Sequence, residues 1–376
     1  MQIVFWTSIF FILYAYLGYP LLLMFLSLFK NRPINKGHIT PTVSFIITAY
    51  NEALQIREKI ENTLDQDYPK DRLEIIVASD CSSDGTDGIV KSYETEGVRL
   101  VRAPERKGKE AAQKLAVEST SGEILIFSDV ATILPSDGIS NIVKNFNDPT
   151  IGCVSSVDKF IDRDGIISGE GAYVRYEMLL RRLETKVNTL VGLSGSFFAA
   201  RREVCQNWVV DLQSDFTTLL NAVKMGLRGV SDPDSIGYYR NITDEKKEFE
   251  RKVRTLLRGI TVLMKSLPML NPFRYNLFSW QLFSHKFCRW LVPFAMILAF
   301  FTNTLLIYNS TFYFYILIIQ LVFYSLALGE RQINLPARHH YLKIPSYLLL
   351  ANLSILTAWY RYVRGEQIIT WRPSER

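Results

Sequence analysis

Hydrophobic and polar positions divide the chain into stretches of different rhythm. Residues 4–29, "VFWTSIFFILYAYLGYPLLLMFLSLF", contain no charge, and such a run is long enough to cross a hydrocarbon core of about 30 Å as a helix. It has no basic leader and is longer than the apolar core of a secretory signal, so it reads as an anchor. Three more apolar stretches follow near the other end, at residues 291–308, 312–329 and 344–360. Between them the rhythm changes. "TVSFIITA" is followed by "ALQIREKIENTLDQ", "LEIIVAS" by "GTDGIVKSYETE", "VRLVRA" by "GKEAAQKLAVEST", and "EILIFS" by "SDGISNIVKNFND". Short β-branched runs alternating with amphipathic helices predict an α/β fold, a parallel sheet covered by helices on both faces. Ligands of such sheets bind at the carboxyl ends of the strands.

The residues that follow each strand are therefore the candidate chemistry. They are "AYNE" at 49–52, "SDCSSDGTD" at 79–87, "PERKGKEAA" at 104–112 and "SDVA" at 128–131. Taken singly, each has an ordinary explanation: a helix start, a turn, a solvated Lys-Gly pair. Four in succession at one sheet edge supply what a nucleotide needs. It wants acceptors for base and ribose, cationic or amide donors for phosphates, and a carboxylate for a divalent metal. A dinucleotide site of the Gly-x-Gly-x-x-Gly kind is excluded, because "AYNEAL" contains no glycine.

With these motifs the chain resembles the inverting family-two glycosyltransferases, in their membrane-integrated, polysaccharide-forming branch. The resemblance implies a GT-A, Rossmann-like nucleotide-sugar domain at 37–270 with interfacial helices. An N-terminal transmembrane anchor at 1–36 would precede it, and a C-terminal membrane region with a cytoplasmic tail at 271–376 would follow. By the same likeness Ala49, Tyr50, Glu52 and Asp80 would hold uracil and ribose, with Lys107 near the base or phosphates. Carboxylates such as Glu52 and Asp80 can accept from ribose hydroxyls and from uracil N3–H, a donor cytosine lacks, which favours a UDP-sugar. Asp129 matches the first acid of the family's Asp-x-Asp metal motif, while Ala131 stands where the last acid would be. That leaves Mg²⁺ or Mn²⁺ one protein carboxylate, completed by diphosphate oxygens and water.

On the acceptor side, "GLSGSFF" brings Gly195 and Ser196 close to an incoming sugar. "QSDFTT" resembles the family's acidic base motif, with Ser214 replacing its first acid. Asp215 is then the general base for an inverting attack; position alone would make it a first-turn acid stabilising a helix dipole. "EFERKVRTLLRG" resembles the Gln-x-x-Arg-Trp region, where Arg251 matches and Glu248 and Lys252 replace Gln and Trp; Arg251 would neutralise the leaving diphosphate. "TWRPSER" resembles a C-terminal segment that covers the nucleotide, through Trp371 and Arg376. The helical stretch with Arg175, Arg181, Arg182 and Lys186 reads equally as a surface-lying or a core helix.

Charge and cysteine usage refine this picture. Lys+Arg number 43 against 37 Asp+Glu, a net charge of +6, which suits a membrane surface and phosphates. No basic block with interleaved aromatics suggests nucleic acid. Four scattered cysteines form neither a disulfide framework nor a zinc site. Lys30, Arg32 and Lys36 directly follow the anchor, placing the catalytic domain in the cytoplasm of a multi-pass cell-membrane protein. Arg361, Arg364, Arg372 and Arg376 favour a cytoplasmic end as well. One of the three later stretches then does not cross fully, and the last, with Asn352, Ser354 and Thr357, is the candidate. The expected activity is inverting transfer from a UDP-sugar to a polysaccharide or lipid-linked acceptor. The alternatives are a polyprenyl-phosphate monoglycosyltransferase and a catalytically inactive nucleotide-sugar-binding subunit. A transporter is disfavoured, since so few spans without an inverted repeat hardly form an alternating-access path.

Overall fold

The computed structural model describes residues 1–161, 172–240, 245–329 and 343–368. Trp371, Arg372 and Arg376 lie outside the described residues. The chain forms two units: Met1–Phe29 with Ala172–Tyr176 and Glu245–Glu366, and Lys30–Gly171 with Glu177–Asp244 and Gln367–Arg376.

The second unit is built on a seven-stranded sheet. Its strands are β1 (Val43–Ala49), β2 (Leu73–Ser79), β3 (Val98–Arg102), β4 (Ile124–Asp129), β5 (Ile151–Ile161), β6 (Phe197–Arg201) and β7 (Arg228–Arg240), in the order β3-β2-β1-β4-β6-β5-β7. The four strands expected from the sequence are parallel to one another. The sheet as a whole is mixed, because β6 runs antiparallel to both β4 and β5. That antiparallel strand is the difference from the expected parallel sheet. It is formed by "FFAAR", five residues directly after the "GLSGS" loop, too short for a period to show.

Every residue of β1 is buried, as befits a central parallel strand with both faces covered. Its side chains alternate between two cores. Val43, Phe45, Ile47 and Ala49 face Ile56, Ile60, Val90, Ile139 and Ile142. Ile46 joins Ala112, Ala116, Leu125, Phe127, Leu219 and Ala222 on the other side. The helices Ile56–Leu64 and Gly138–Val143 thus cover one face, and Lys109–Ser119 and Ser214–Lys224 the other. Chain order reverses direction between β1 and β4, so the crevice beyond their carboxyl ends is the topological switch point.

The first unit holds the apolar helices. Three are long and apolar enough to cross a membrane: Gln2–Phe29, Leu277–Leu306 and Thr311–Gly329. Phe5 packs with Ala299, Leu306 and Tyr313, and Ala15 with Cys288 and Val292, so the first two of these helices run antiparallel. Each carries a π-helical turn, at Tyr14–Gly18 and Phe283–Cys288. The Tyr14 hydroxyl lies 2.6 Å from Ser284 Oγ and accepts from Trp280 Nε1 at 3.0 Å. Leu21, Phe25, Leu28, Phe301 and Ile319 face outward, as lipid-facing side chains do. The last apolar stretch forms one continuous helix, Lys343–Val363, and is not among the three. Ser354 and Thr357 return their hydroxyls to carbonyls of their own helix, and Asn352 Nδ2 donates to the Tyr16 hydroxyl at 3.1 Å. The amphipathic helix Glu245–Lys265 belongs to this unit as well.

Candidate active site

The loops after β1 and β2 are stitched to each other. Asn51 and Cys81 both adopt left-handed backbone, at φ 52° and 59°, a conformation costly for residues with a side chain. Hydrogen bonds fix it: Asn51 N–H donates to Ser82 Oγ at 3.1 Å, and Ser83 N–H donates to Asn51 Oδ1 at 2.8 Å. Ala53 N–H donates to Asp84 Oδ2 at 3.0 Å and Glu52 N–H to Thr86 Oγ1 at 2.8 Å. Burial is the largest single influence on the Asp84 carboxyl and pushes its pKa up, but the Thr86 hydroxyl, with the Ala53 and Thr86 N–H groups, donates to it and holds it below its usual range. Asp84 and Thr86 are thus the fasteners of this edge.

Asp80 is buried, and its N–H donates to Ala49 O at 2.9 Å. Its carboxylate accepts from Lys107 N–H at 2.9 Å and from Gly108 N–H at 3.0 Å. Burial raises its pKa, and those two amide donors oppose the rise. Asp80 therefore fixes the start of helix Lys109–Ser119, where Gly108 has a φ of 97° that favours glycine. Tyr50 carries the Arg106 guanidinium on its ring at 3.7 Å. Glu52 is buried beside them in sequence, while the Lys107 ammonium pairs with Glu105 at 2.5 Å on an exposed surface.

The cation that reaches the centre is Lys109. Its Nζ donates to Asp129 Oδ1 at 2.5 Å and to Gly195 O at 2.8 Å, with a tenth of its side chain exposed. Asp129 closes β4, its N–H donating to Ser196 O at 2.9 Å. Gly195 is pinned between two charges: a Cβ there would lie 3.1 Å from Asp215 Oδ2. Asp215 is itself buried in the first turn of Ser214–Lys224 and accepts from Gln213 Nε2 at 3.1 Å. Four expected residues, Asp129, Gly195, Ser196 and Asp215, thus converge, joined by a lysine the motif reading passed over.

A second lysine lies beneath. Lys59 is fully buried, donates from Nζ to Thr132 O at 2.6 Å and sits 5.1 Å over the Phe45 ring. Burial lowers its pKa to about 7, and the nearby Asp129 charge limits the fall. The sequence did carry a signal for both lysines. Lys59 interrupts the buried row Ile56, Ile60, Thr63, and Lys109 shares the buried row with Gln113 and Ala116, the spacing of a helix's inward face.

A further acid, Asp158 of β5, also escaped the motif reading. It accepts from Ser194 Oγ at 2.8 and 3.0 Å, from Ser156 Oγ at 3.0 Å and from the Tyr239 hydroxyl at 3.1 Å. Tyr239 is buried, and burial raises its pKa well above the ordinary value, with Asp158 and Asp129 adding to the rise. Asp158 and Tyr239 therefore hold the "GLSGS" loop from below. Arg251 belongs to the other unit, where it makes a bidentate pair with Glu248 at 2.7 and 2.8 Å. The residue standing in place of Gln is thus its partner.

Among the described residues no group of three His, Cys, Asp or Glu side chains is placed to hold a metal ion. The pair Asp129 Oδ1 and Gly195 O nevertheless already holds a cation, the Lys109 ammonium. Both are hard oxygen donors, which suit Mg²⁺ or Mn²⁺.

Residues 44–209 match the family described as Glycosyl transferase family 2. Glycosyltransferase AglE of Haloferax volcanii is 36% identical over 91 residues, 24% of this chain and 30% of that protein. The poly-beta-1,6-N-acetyl-D-glucosamine synthase of Staphylococcus aureus is 28% identical over 213 residues, 54% of this chain and 50% of that protein. The chain thus spans half or less of the length of these relatives. Among solved structures, mannosyltransferase PcManGT from Pyrobaculum calidifontis, in complex with GDP-Man and Mn²⁺, superposes with a TM-score of 0.72. Its identity is 23%, covering 94% of this chain and 99% of that one. The chain accordingly shares the GT-A fold of that structure, with three helices long and apolar enough to cross a membrane.

Proposed function

Since residues 44–209 are a family-two glycosyltransferase domain, we propose that the chain transfers a sugar, with inversion, from a UDP-sugar to a glycan or lipid-linked acceptor at the cytoplasmic membrane face. The observation that carries this reading is the convergence of Asp129, Lys109, Gly195 and Asp215 at the switch point. Donor and acceptor chemistry would meet there, with Asp215 packed against the Gly195 that Lys109 and Asp129 hold.

The geometry supports these roles. Tyr50, Glu52 and Asp80 form the nucleotide end, with Ala49 and Lys107 flanking it. Asp129 is the residue to hold Mg²⁺ or Mn²⁺, which would neutralise the diphosphate when bound. Asp215 takes the proton of the acceptor hydroxyl as its oxygen attacks the anomeric carbon opposite the leaving diphosphate. Burial and the neighbouring Gly195 keep this carboxylate aimed at the loop where an acceptor sugar is expected. Arg251, Trp371 and Arg376 remain proposed contributors to the diphosphate side.

Binding of UDP, GDP and CDP by calorimetry, followed by nucleotide release from a panel of nucleotide-sugars, tests the reading. Uracil and guanine both offer ring N–H donors to a carboxylate, so the comparison of UDP with GDP decides the base. Binding of UDP with release of UDP in the presence of glycan or lipid acceptor is expected. Tight UDP binding with no turnover from any donor would instead favour a nucleotide-sugar-binding subunit.

A further inference from the structure

We propose that Lys109 is a catalytic residue: its ammonium, which in the free protein fills the cradle of Asp129 Oδ1 and Gly195 O, passes to the diphosphate when the donor binds and stabilises it as it leaves. The inference rests on the glycosyl-transfer reading above. An ammonium has three N–H donors, and two of Lys109's are engaged, one on the donor acid and one on the acceptor loop. The ammonium therefore stands between the carboxylate of the diphosphate end and the loop that abuts Asp215. A lysine is a compact point charge on a flexible stem, suited to changing partners over a short distance.

Charge balance gives the reason for the exchange. With Ala131 in place of a second acid, the cradle holds a single negative charge, already neutralised by Lys109. Asp129, engaged by Lys109 in the free protein, would hold a divalent cation more readily once a diphosphate gives the displaced ammonium a new anion. Loading of the cradle is thereby tied to the nucleotide. In the transfer itself the acceptor O–H proton goes to Asp215 and the oxygen forms its bond to the anomeric carbon. The carbon–oxygen bond to the diphosphate breaks with both electrons on the leaving oxygen, whose growing charge the Lys109 N–H meets.

The full-length protein in detergent tests this through the variant Lys109→Gln. Free Mn²⁺, read by its paramagnetic resonance signal without nucleotide, should be bound weakly by wild type. Lys109→Gln should bind it about tenfold more tightly, the worth of one charge-assisted hydrogen bond. Its kcat should fall about 10²- to 10³-fold, as when one donor to a developing anion is lost, while UDP binding persists. Lys109→Cys treated with 2-bromoethylamine, which rebuilds an ammonium on a thioether stem, should regain turnover. A kcat within about threefold of wild type, unchanged Mn²⁺ binding, or no recovery in a UDP-binding alkylated variant overturns the proposal. A wild-type chain that binds no nucleoside diphosphate overturns the glycosyl-transfer reading itself, and this proposal with it.

Discussion

Asp129 and Asp215 occupy one cluster, yet removing their charges should have different consequences. Asp129→Asn leaves the cradle without its only acid, so metal-dependent UDP binding and turnover should both fall sharply; calorimetry showing both UDP and Mn²⁺ binding unchanged would refute its role. Asp215→Asn acts on the acceptor alone, so donor affinity should stay near wild type while transfer is lost. Equal losses of donor affinity and rate would remove Asp215 from the role of base. Lys59 gives a third outcome, in stability. Its pKa is about 7 in the fold against an ordinary 10.5, so between those values the unfolded chain binds a proton the folded one does not. Stability of the unit should rise with pH through that window. Lys59→Met should abolish the rise and melt higher than wild type at pH 7, as urea melts at several pH values will show. The acids were legible as strand-end and helix-start residues. The lysines were less so, because both lie on the inward faces of helices, where a lysine is not expected.

At the level of elements, the half of the sheet that reads clearly is the half whose strands are simple. β1, β2 and β4 are short, mostly apolar and β-branched runs, and each ends in a motif residue. β5 and β7 are disguised. β5 carries Ser155, Ser156, Asp158 and Lys159, while β7 contains Pro233, two aspartates and two glycines, a composition that resembles turns. β7 tolerates its proline because it is the edge strand. The polar residues of β5 are spent on the acceptor loop, through Asp158 and Ser155, which accepts from Ser194 N–H at 2.7 Å. Tyr239, near the end of β7, completes this support. Tyr239→Phe removes one donor to Asp158, so stability should drop by about 1 kcal/mol. Acceptor KM should rise while UDP affinity holds. A variant whose donor and acceptor constants move together would show that Tyr239 supports the whole sheet rather than the loop.

For the whole molecule, the arrangement of crossings decides where the chemistry takes place. Gln2–Phe29, Leu277–Leu306 and Thr311–Gly329 are long and apolar enough to span, while Lys343–Val363 carries Asn352, Ser354 and Thr357 along its length. If these three cross with Lys30, Arg32 and Lys36 inside, residues 309–310 lie outside and Gly329 ends on the inner side. If Lys343–Val363 lies in the interface, residues 364–368 stay on the same side as the sheet. Asn309 and Gln367 are both exposed on the protein, so cysteines at these positions report sidedness directly. With an impermeant maleimide added to intact cells, Asn309→Cys should label and Gln367→Cys should label only after the membrane is opened. The native thiols interfere little, since Cys153, Cys205 and Cys288 are buried and only Cys81 is partly exposed. Labelling of Gln367→Cys from outside would mean that the fourth helix crosses, and that Arg361 and Arg364 lie on the opposite side of the membrane from Lys30, Arg32 and Lys36.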